Sequence, residues 1–205
     1  MILRQLAFAA AILSLVILAV ATISAGFAYP GYDHLRQYIS ELGATGTVTG
    51  PGVSYAFMAS GVLLAAFWLM CIPLFPRSPL AVIGFGLSAL NGLGLMFGGV
   101  FPCDFQCSLA NPSPAALLHE VLGGIGYLCG LVGLALVGMA AKSWPRGRDL
   151  FHLAIVCGAP AAGAIWLIHP GFEFYGGAQR VLEVAFAAWT VGVALAVRRP
   201  VETAT

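Results

Sequence analysis

The sequence predicts an all-α fold: a polytopic membrane bundle of six transmembrane helices with a short amphipathic interfacial helix after the first. Three observations predict it. Hydrophobic residues make up 60% of the 205-residue chain and charged residues 8%, with a mean hydropathy of +0.94, whereas a soluble domain is roughly 25% charged. Six apolar runs reach the length of about 20 residues that crosses a hydrocarbon layer about 30 Å thick. The few charges also segregate, with acids at one set of helix ends and bases at the other.

The runs cover approximately residues 6–29, 53–75, 80–101, 115–141, 150–169 and 179–197, and no connection between them is long enough for a second domain, so 1–205 reads as a single unit. Lys and Arg in short connections stay preferentially in the cytoplasm. Arg4, Arg77, Lys142, Arg146, Arg148, Arg198 and Arg199 are seven of the nine bases, and all fall on one side. The sequence therefore predicts a multi-pass protein of the inner (cytoplasmic) membrane with both termini cytoplasmic. The opposite, outer side carries Arg36 and Arg180, six of the eight acids and three of the four histidines.

Arg4 and the stretch Ala25-Gly26-Phe27-Ala28 loosely imitate a secretory signal. The apolar core of the first run is far longer than the roughly 7–15 residues of a signal, so a retained helix is expected.

After the first run, residues 32–46 read YDHLRQYISELGATG. Asp33 is a good N-cap, Leu35, Tyr38, Ile39 and Leu42 recur at helical spacing, and Gly43 suits a helix end. The expectation is an amphipathic helix on the outer membrane surface, its other face presenting His34, Arg36, Gln37, Ser40 and Glu41. That face either meets water and headgroups or lids the mouth of the bundle.

The third run ends in Phe101-Pro102-Cys103-Asp104, and Ser113-Pro114 is an N-cap and first-position pair for the fourth. His119 and Glu120 then lie about a turn and a half inside, where an ionisable pair is expensive and normally faces protein or water. His119 reads as a metal ligand or proton carrier on one view and as an interhelical hydrogen-bonding group on the other. Cys103 and Cys107, on the oxidising side, are expected to form a disulfide, metal binding being the alternative. Cys71, Cys129 and Cys157 read as small core residues. Nine glycines between Gly92 and Gly133 are expected to let the third and fourth helices approach closely.

Asp149 is expected to cap the fifth helix, and His169 ends it on the outer side. Arg180 and Glu183 stand three apart near the start of the sixth and can pair. Glu183 is nonetheless an intramembrane acid and so a functional candidate.

These motifs together resemble the domain of unknown function family 998, six-helix membrane proteins of bacteria and archaea. More distantly they are similar to the DRAM, Frag and Sfk group. There a Tyr-Ile-Ser-(acid)-x-Gly motif corresponds to Tyr38-Ile39-Ser40-Glu41-Leu42-Gly43, and a His-x-x-Gly-(Ala or Gly) motif is similar to the start of the fourth helix around His119 and Gly123. The resemblance implies six helices and a role in membrane lipid handling. It carries over no catalytic residue and leaves the reaction type open.

The expected function is an outward-facing polar site that binds or organises lipid in the outer leaflet without catalysis. Its residues are His34, Arg36, Ser40, Glu41, Asp104, His119, Glu120, His169, Arg180 and Glu183, which converge because charges persist at a bilayer boundary only when paired or liganded. The alternative is a metal-dependent intramembrane hydrolase or transferase acting on a lipid, with His119, His169 and Asp104 as ligands of a metal such as zinc. No His-Glu-x-x-His motif supports it. Haem fits poorly, since His169 sits at a helix end beside Pro170. A net charge of +1 without a basic patch excludes nucleic acid as a partner.

Overall fold

The computed structural model describes residues 1–145 and 147–198; Arg146 and Arg199, counted above among the bases, lie outside the described residues. Six long helices account for most of the chain: α1 Ile2–Ala28, α2 Gly50–Cys71, α3 Pro79–Val100, α4 Pro114–Ala141, α5 Arg148–Ile165 and α6 Tyr175–Arg198. Among the described residues there is no strand. Five helices, α1 to α4 and α6, are long and apolar enough to cross a bilayer.

The fifth departs from expectation. It begins at Arg148, carries Pro160 and stops at Ile165, 18 residues in all. That length is at the short end of the range of about 17–25 residues that crosses a bilayer, and Arg148, Asp149 and His152 dilute its apolar run. Gly147 holds its N-cap position and Asp149 lies in the first turn. The Ser-Pro starts of α3 and α4 behave as capping chemistry requires: Ser78 Oγ accepts from Ala81 N–H at 3.2 Å and Ser113 Oγ from Ala116 N–H at 3.1 Å.

Each helix packs on its neighbours in the chain, and α6 returns to α1, so the six form a closed ring. At the end that holds both the α2–α3 and α4–α5 connections, here the basic end, the ring is filled. Phe67, Trp68, Phe85, Trp144 and Val193 form one core with the small residues Ala7 and Ala11 of α1. Trp144 stacks on Phe75 with centroids 4.9 Å apart. Arg4 donates to the Val197 carbonyl at 2.7 Å and Arg198 lies 4.7 Å over the Phe8 ring, tying α1 to α6. Between apolar helices in lipid such van der Waals packing, rather than escape from water, is the cohesive term.

The glycines divide by direction. A Cβ on Gly94 would sit 2.8 Å from Gly126 Cα, which fixes close α3–α4 contact, whereas one on Gly92 would sit 2.6 Å from Ala65 N of α2. Gly123 and Gly124 of α4 face open space.

In place of one amphipathic helix after α1, the structure has a turn over 34–36 and a 3-10 helix Ile39–Gly43. The Asp33 cap is present, Oδ1 accepting from Leu35 N–H and Arg36 N–H. The helix does not propagate because neighbouring elements claim its backbone. Gln37 O accepts from Arg180, Tyr38 O from the Tyr32 hydroxyl, and Ile39 N–H donates to Gln179 Oε1 at 2.7 Å. Leu42 and Glu41 are consequently buried, 0% and 2% exposed, rather than lying on a surface.

Candidate functional site

Away from the basic end the ring is hollow. A cavity of about 940 Å³ lies between α1, α3, α4 and α6, with contributions from α2, the end of α5 and the 38–40 segment. Its long wall is apolar, including Leu15, Leu18, Phe57, Leu95 and Phe186. The hydroxyls on it are turned to backbone carbonyls: Ser14 Oγ donates to Ser60 O at 2.8 Å and Thr190 Oγ1 to Phe186 O at 2.8 Å. Four lining residues, Ile23, Leu128, Trp166 and Val184, are more than half exposed on the outside of the bundle. The cavity therefore reaches the apolar flank as well as the end of the ring.

The polar groups collect at the acidic end, the end that holds the Asp33–Glu41 segment. Of the ten residues expected there, His34, Ser40, His119, Glu120, Arg180 and Glu183 line this one cavity. Arg36, Glu41, Asp104 and His169 do not. Arg36 makes exposed ion pairs to Asp33 at 3.2 Å and Glu173 at 2.6 Å. Asp104 accepts from Ser113 N–H at 2.7 Å beside the start of α4. His169 is exposed and accepts from Gly171 N–H. Glu41 accepts from Tyr38 N–H at 2.9 Å and Gln37 Nε2 at 2.8 Å, and so shapes the segment from within. Burial pushes its carboxyl above the ordinary carboxylate value, with those two hydrogen bonds and the Arg180 charge pulling the other way.

Arg180 and Glu183 do not pair with each other as their spacing suggests. The guanidinium donates to Gln37 O, Gly176 O, Tyr32 Oη at 2.6 Å and His34 Nδ1 at 3.3 Å. Burial raises the Tyr32 phenol to about 12, against the opposing pull of the Arg180 hydrogen bond. Glu183 Oε1 instead accepts from Tyr127 of α4 at 2.7 Å, and Tyr127 Oη accepts from Gln179 Nε2 at 2.9 Å. A chain of hydrogen bonds thus runs from Glu183 through Tyr127 and Gln179 to Ile39, joining α6, α4 and the 3-10 helix.

The histidine tautomers follow from their partners. His119 Nδ1 faces Phe101 O at 2.8 Å and Gly98 O at 3.2 Å. Carbonyls only accept, so Nδ1 carries the proton and Nε2 of the neutral ring is an acceptor. At His34 the logic inverts: Arg180 only donates, so Nδ1 accepts and Nε2–H is the donor. Glu120 has no hydrogen-bond or ion-pair partner among the described residues. Cys103 and Cys107 are joined by a disulfide, and Thr45 N–H donates to Cys103 O at 2.9 Å. Ser40 Oγ lies 3.4 Å from Cys107 Sγ. This loop braces the back of the Tyr38–Ala44 segment.

Among the described residues, no group of three or more His, Cys, Asp or Glu side chains could hold a metal ion. Asp104 and His169 lie apart from the cavity that His119 lines.

A family model described as "Protein of unknown function (DUF998)" matches residues 11–196. The chain belongs to this family. The DUF998 match takes in every residue that lines the cavity, from Ser14 to Thr190. No curated protein and no solved structure matches the chain.

Two residues central to the site, Tyr127 and Gln179, escape charge-based reasoning because neither is ionised at neutral pH. The signal for Tyr127 is positional: it stands seven residues after Glu120, two turns along the helix face that carries Glu120, Gly123 and Gly124.

Proposed function

We propose that this protein binds a membrane lipid in the central cavity without chemically converting it, acyl chain along the apolar wall and head group at the acidic end. The observation that carries the reading is the cavity itself. Its volume of about 940 Å³ lies at the upper end of the range for ligand sites, roughly 300–1,000 Å³. It is apolar along its length, polar at one end and open on the flank that lipid would cover. A water-soluble solute has no use for that flank; an amphiphile needs it. The base asymmetry and the disulfide at the acidic end support a head group on the non-cytoplasmic side. The metal-dependent lipid hydrolase reading has weaker support, because its ligand residues do not gather.

The test is lipid extraction from protein purified in mild detergent, with quantification by mass spectrometry. The wild type should retain roughly one lipid per chain, the occupancy that a cavity of this size allows. Gly123→Leu should release it, because the new side chain projects into the cavity from a position where a Cβ meets nothing within 4 Å. Equal retention by both proteins, or none by the wild type, sinks the reading. The sidedness is tested separately, by labelling Val48→Cys, at a site 77% exposed, from outside intact cells, with exposed Ser143→Cys remaining protected.

A further inference from the structure

Resting on that lipid reading, the arrangement of donors and acceptors at the acidic end narrows the head group. The cavity has two polar poles of opposite character. One is a donor pole centred on the Arg180 guanidinium, with Glu41 turned to Gln37 and the Tyr38 amide rather than to Arg180. Arg180 has no carboxylate within ion-pair distance among the described residues, its terminal nitrogens are engaged by Tyr32, His34 and two carbonyls, and its Nε–H is left over. His34 adds Nε2–H. The other is an acceptor pole on the α4 side. Glu120 has no hydrogen-bond or ion-pair partner among the described residues, and with Nδ1–H of His119 committed to Phe101 O, Nε2 is the ring nitrogen left to accept. Glu183 lines the same cavity, its Oε1 taken by Tyr127 and its Oε2 without a hydrogen bond among the described residues.

Arg180 and Glu183 stand one turn apart on α6, with Cβ atoms about 5–6 Å from each other, yet their side chains turn to different partners instead of neutralising one another. A head group that is anionic only satisfies the first pole and leaves Glu120 unpaired; a cation alone does the reverse. We infer that the cavity selects a zwitterionic phospholipid whose head group carries a phosphate and a primary ammonium, as in phosphatidylethanolamine: phosphate oxygens at Arg180 and His34, ammonium N–H groups at Glu120 and His119. A quaternary ammonium has the charge but no N–H to donate, so phosphatidylcholine is the poorer ligand.

The experiment is native mass spectrometry of the full chain in detergent micelles that contain equimolar phosphatidylethanolamine, phosphatidylglycerol and phosphatidylcholine with matched acyl chains. The wild type should retain phosphatidylethanolamine in preference to the other two. Glu120→Gln, a near-isosteric change at an exposed position, should lower phosphatidylethanolamine retention roughly tenfold, the scale of one charge-assisted hydrogen bond, and leave phosphatidylglycerol unchanged. Arg180→Gln should lower both alike, its melting temperature being followed in parallel. Phosphatidylglycerol retained as well as phosphatidylethanolamine, or a Glu120→Gln protein with unaltered preference, overturns the head-group assignment while leaving lipid binding intact. Retention of no lipid at all overturns both. Displacement of the lipid by an equal concentration of glycerophosphoethanolamine would assign the polar end to a soluble phosphoester and end the proposal.

Discussion

The two ends of this bundle are built from the same six helices and solve opposite problems. At the basic end, Phe67, Trp68, Phe85 and Trp144 interlock over Ala7 and Ala11, and the ring closes on itself. At the acidic end the ring stands open around about 940 Å³, and hydrogen bonds from Arg180, Gln179, Tyr127 and Tyr32 join its elements beside a much smaller apolar cluster of Ala25, Leu42, Val53 and Phe57. The difference teaches that close packing and open space are separated along the bundle axis: dispersion contacts dominate where the ring is filled, and directional bonds line the end where a space is kept.

The largest effect that follows is at the packed end. Phe85 is fully buried beside Trp68, Phe75 and Trp144, so Phe85→Ala should lower stability by about 3–5 kcal/mol through the cavity it leaves. Measured by thermal denaturation in detergent, that loss should come with unchanged lipid retention per folded molecule. A loss of lipid at full stability would break the separation.

Glycine gives a finer test, since one substitution has opposite consequences in the two halves. A Cβ on Gly84 would lie 2.8 Å from Val137 Cγ2 and 3.0 Å from Val137 N, against the backbone of α4. Gly84→Leu should therefore cost about 1–3 kcal/mol by overpacking. Gly123→Leu meets open space and removes a residue that disfavours helix by about 0.8–1.0 kcal/mol relative to Ala. It should melt no lower than the wild type while losing lipid. Melting points that fall equally would mean that the hollow half is packed in solution.

The sequence shows the packed half more fully than the hollow half, for physical reasons. Membrane-spanning helices announce themselves through composition, and Ser113-Pro114 through local cap chemistry, because both are decided within a few residues. The 33–42 segment has the spacing of an amphipathic helix, yet Gln179 and Arg180, some 140 positions later, take its backbone groups and break it. No periodicity within the segment contains that competition. Arg180 and Glu183 likewise have the spacing of a pair and are drawn apart by Tyr32 and Tyr127, each from another part of the chain. Charge counting does bring six of the ten expected residues to one cavity, because an ionisable group near a bilayer must find polar company somewhere. It cannot distinguish Glu120, which lines the cavity, from Asp104, which accepts a hydrogen bond beside the start of α4.

The smallest effect separates the two halves by their response to pH. Glu41 is buried in the hollow half, and its carboxyl is raised above the ordinary 4.5 chiefly by burial. The folded segment thus holds that proton more tightly than the opened one, and its stability falls as pH rises from about 4.5 through the raised value, then levels. Asp33, exposed, is lowered from 3.8 by the Leu35 amide and by Arg36, so its contribution is present above that value and lost as pH falls below it. Protection of the Tyr38 amide, which donates to Glu41 Oε1, should be greatest between these limits when hydrogen exchange is expressed as a protection factor. Glu41→Gln should abolish the decline on the alkaline side and spare the acid limb, while amides around Phe85 and Val137, where the core holds no carboxylate among the described residues, should give a flat profile. If the Phe85 amides titrate in step with Tyr38, the segment and the packed core open as one unit, and the hollow end has no independent stability on which ligand entry could draw.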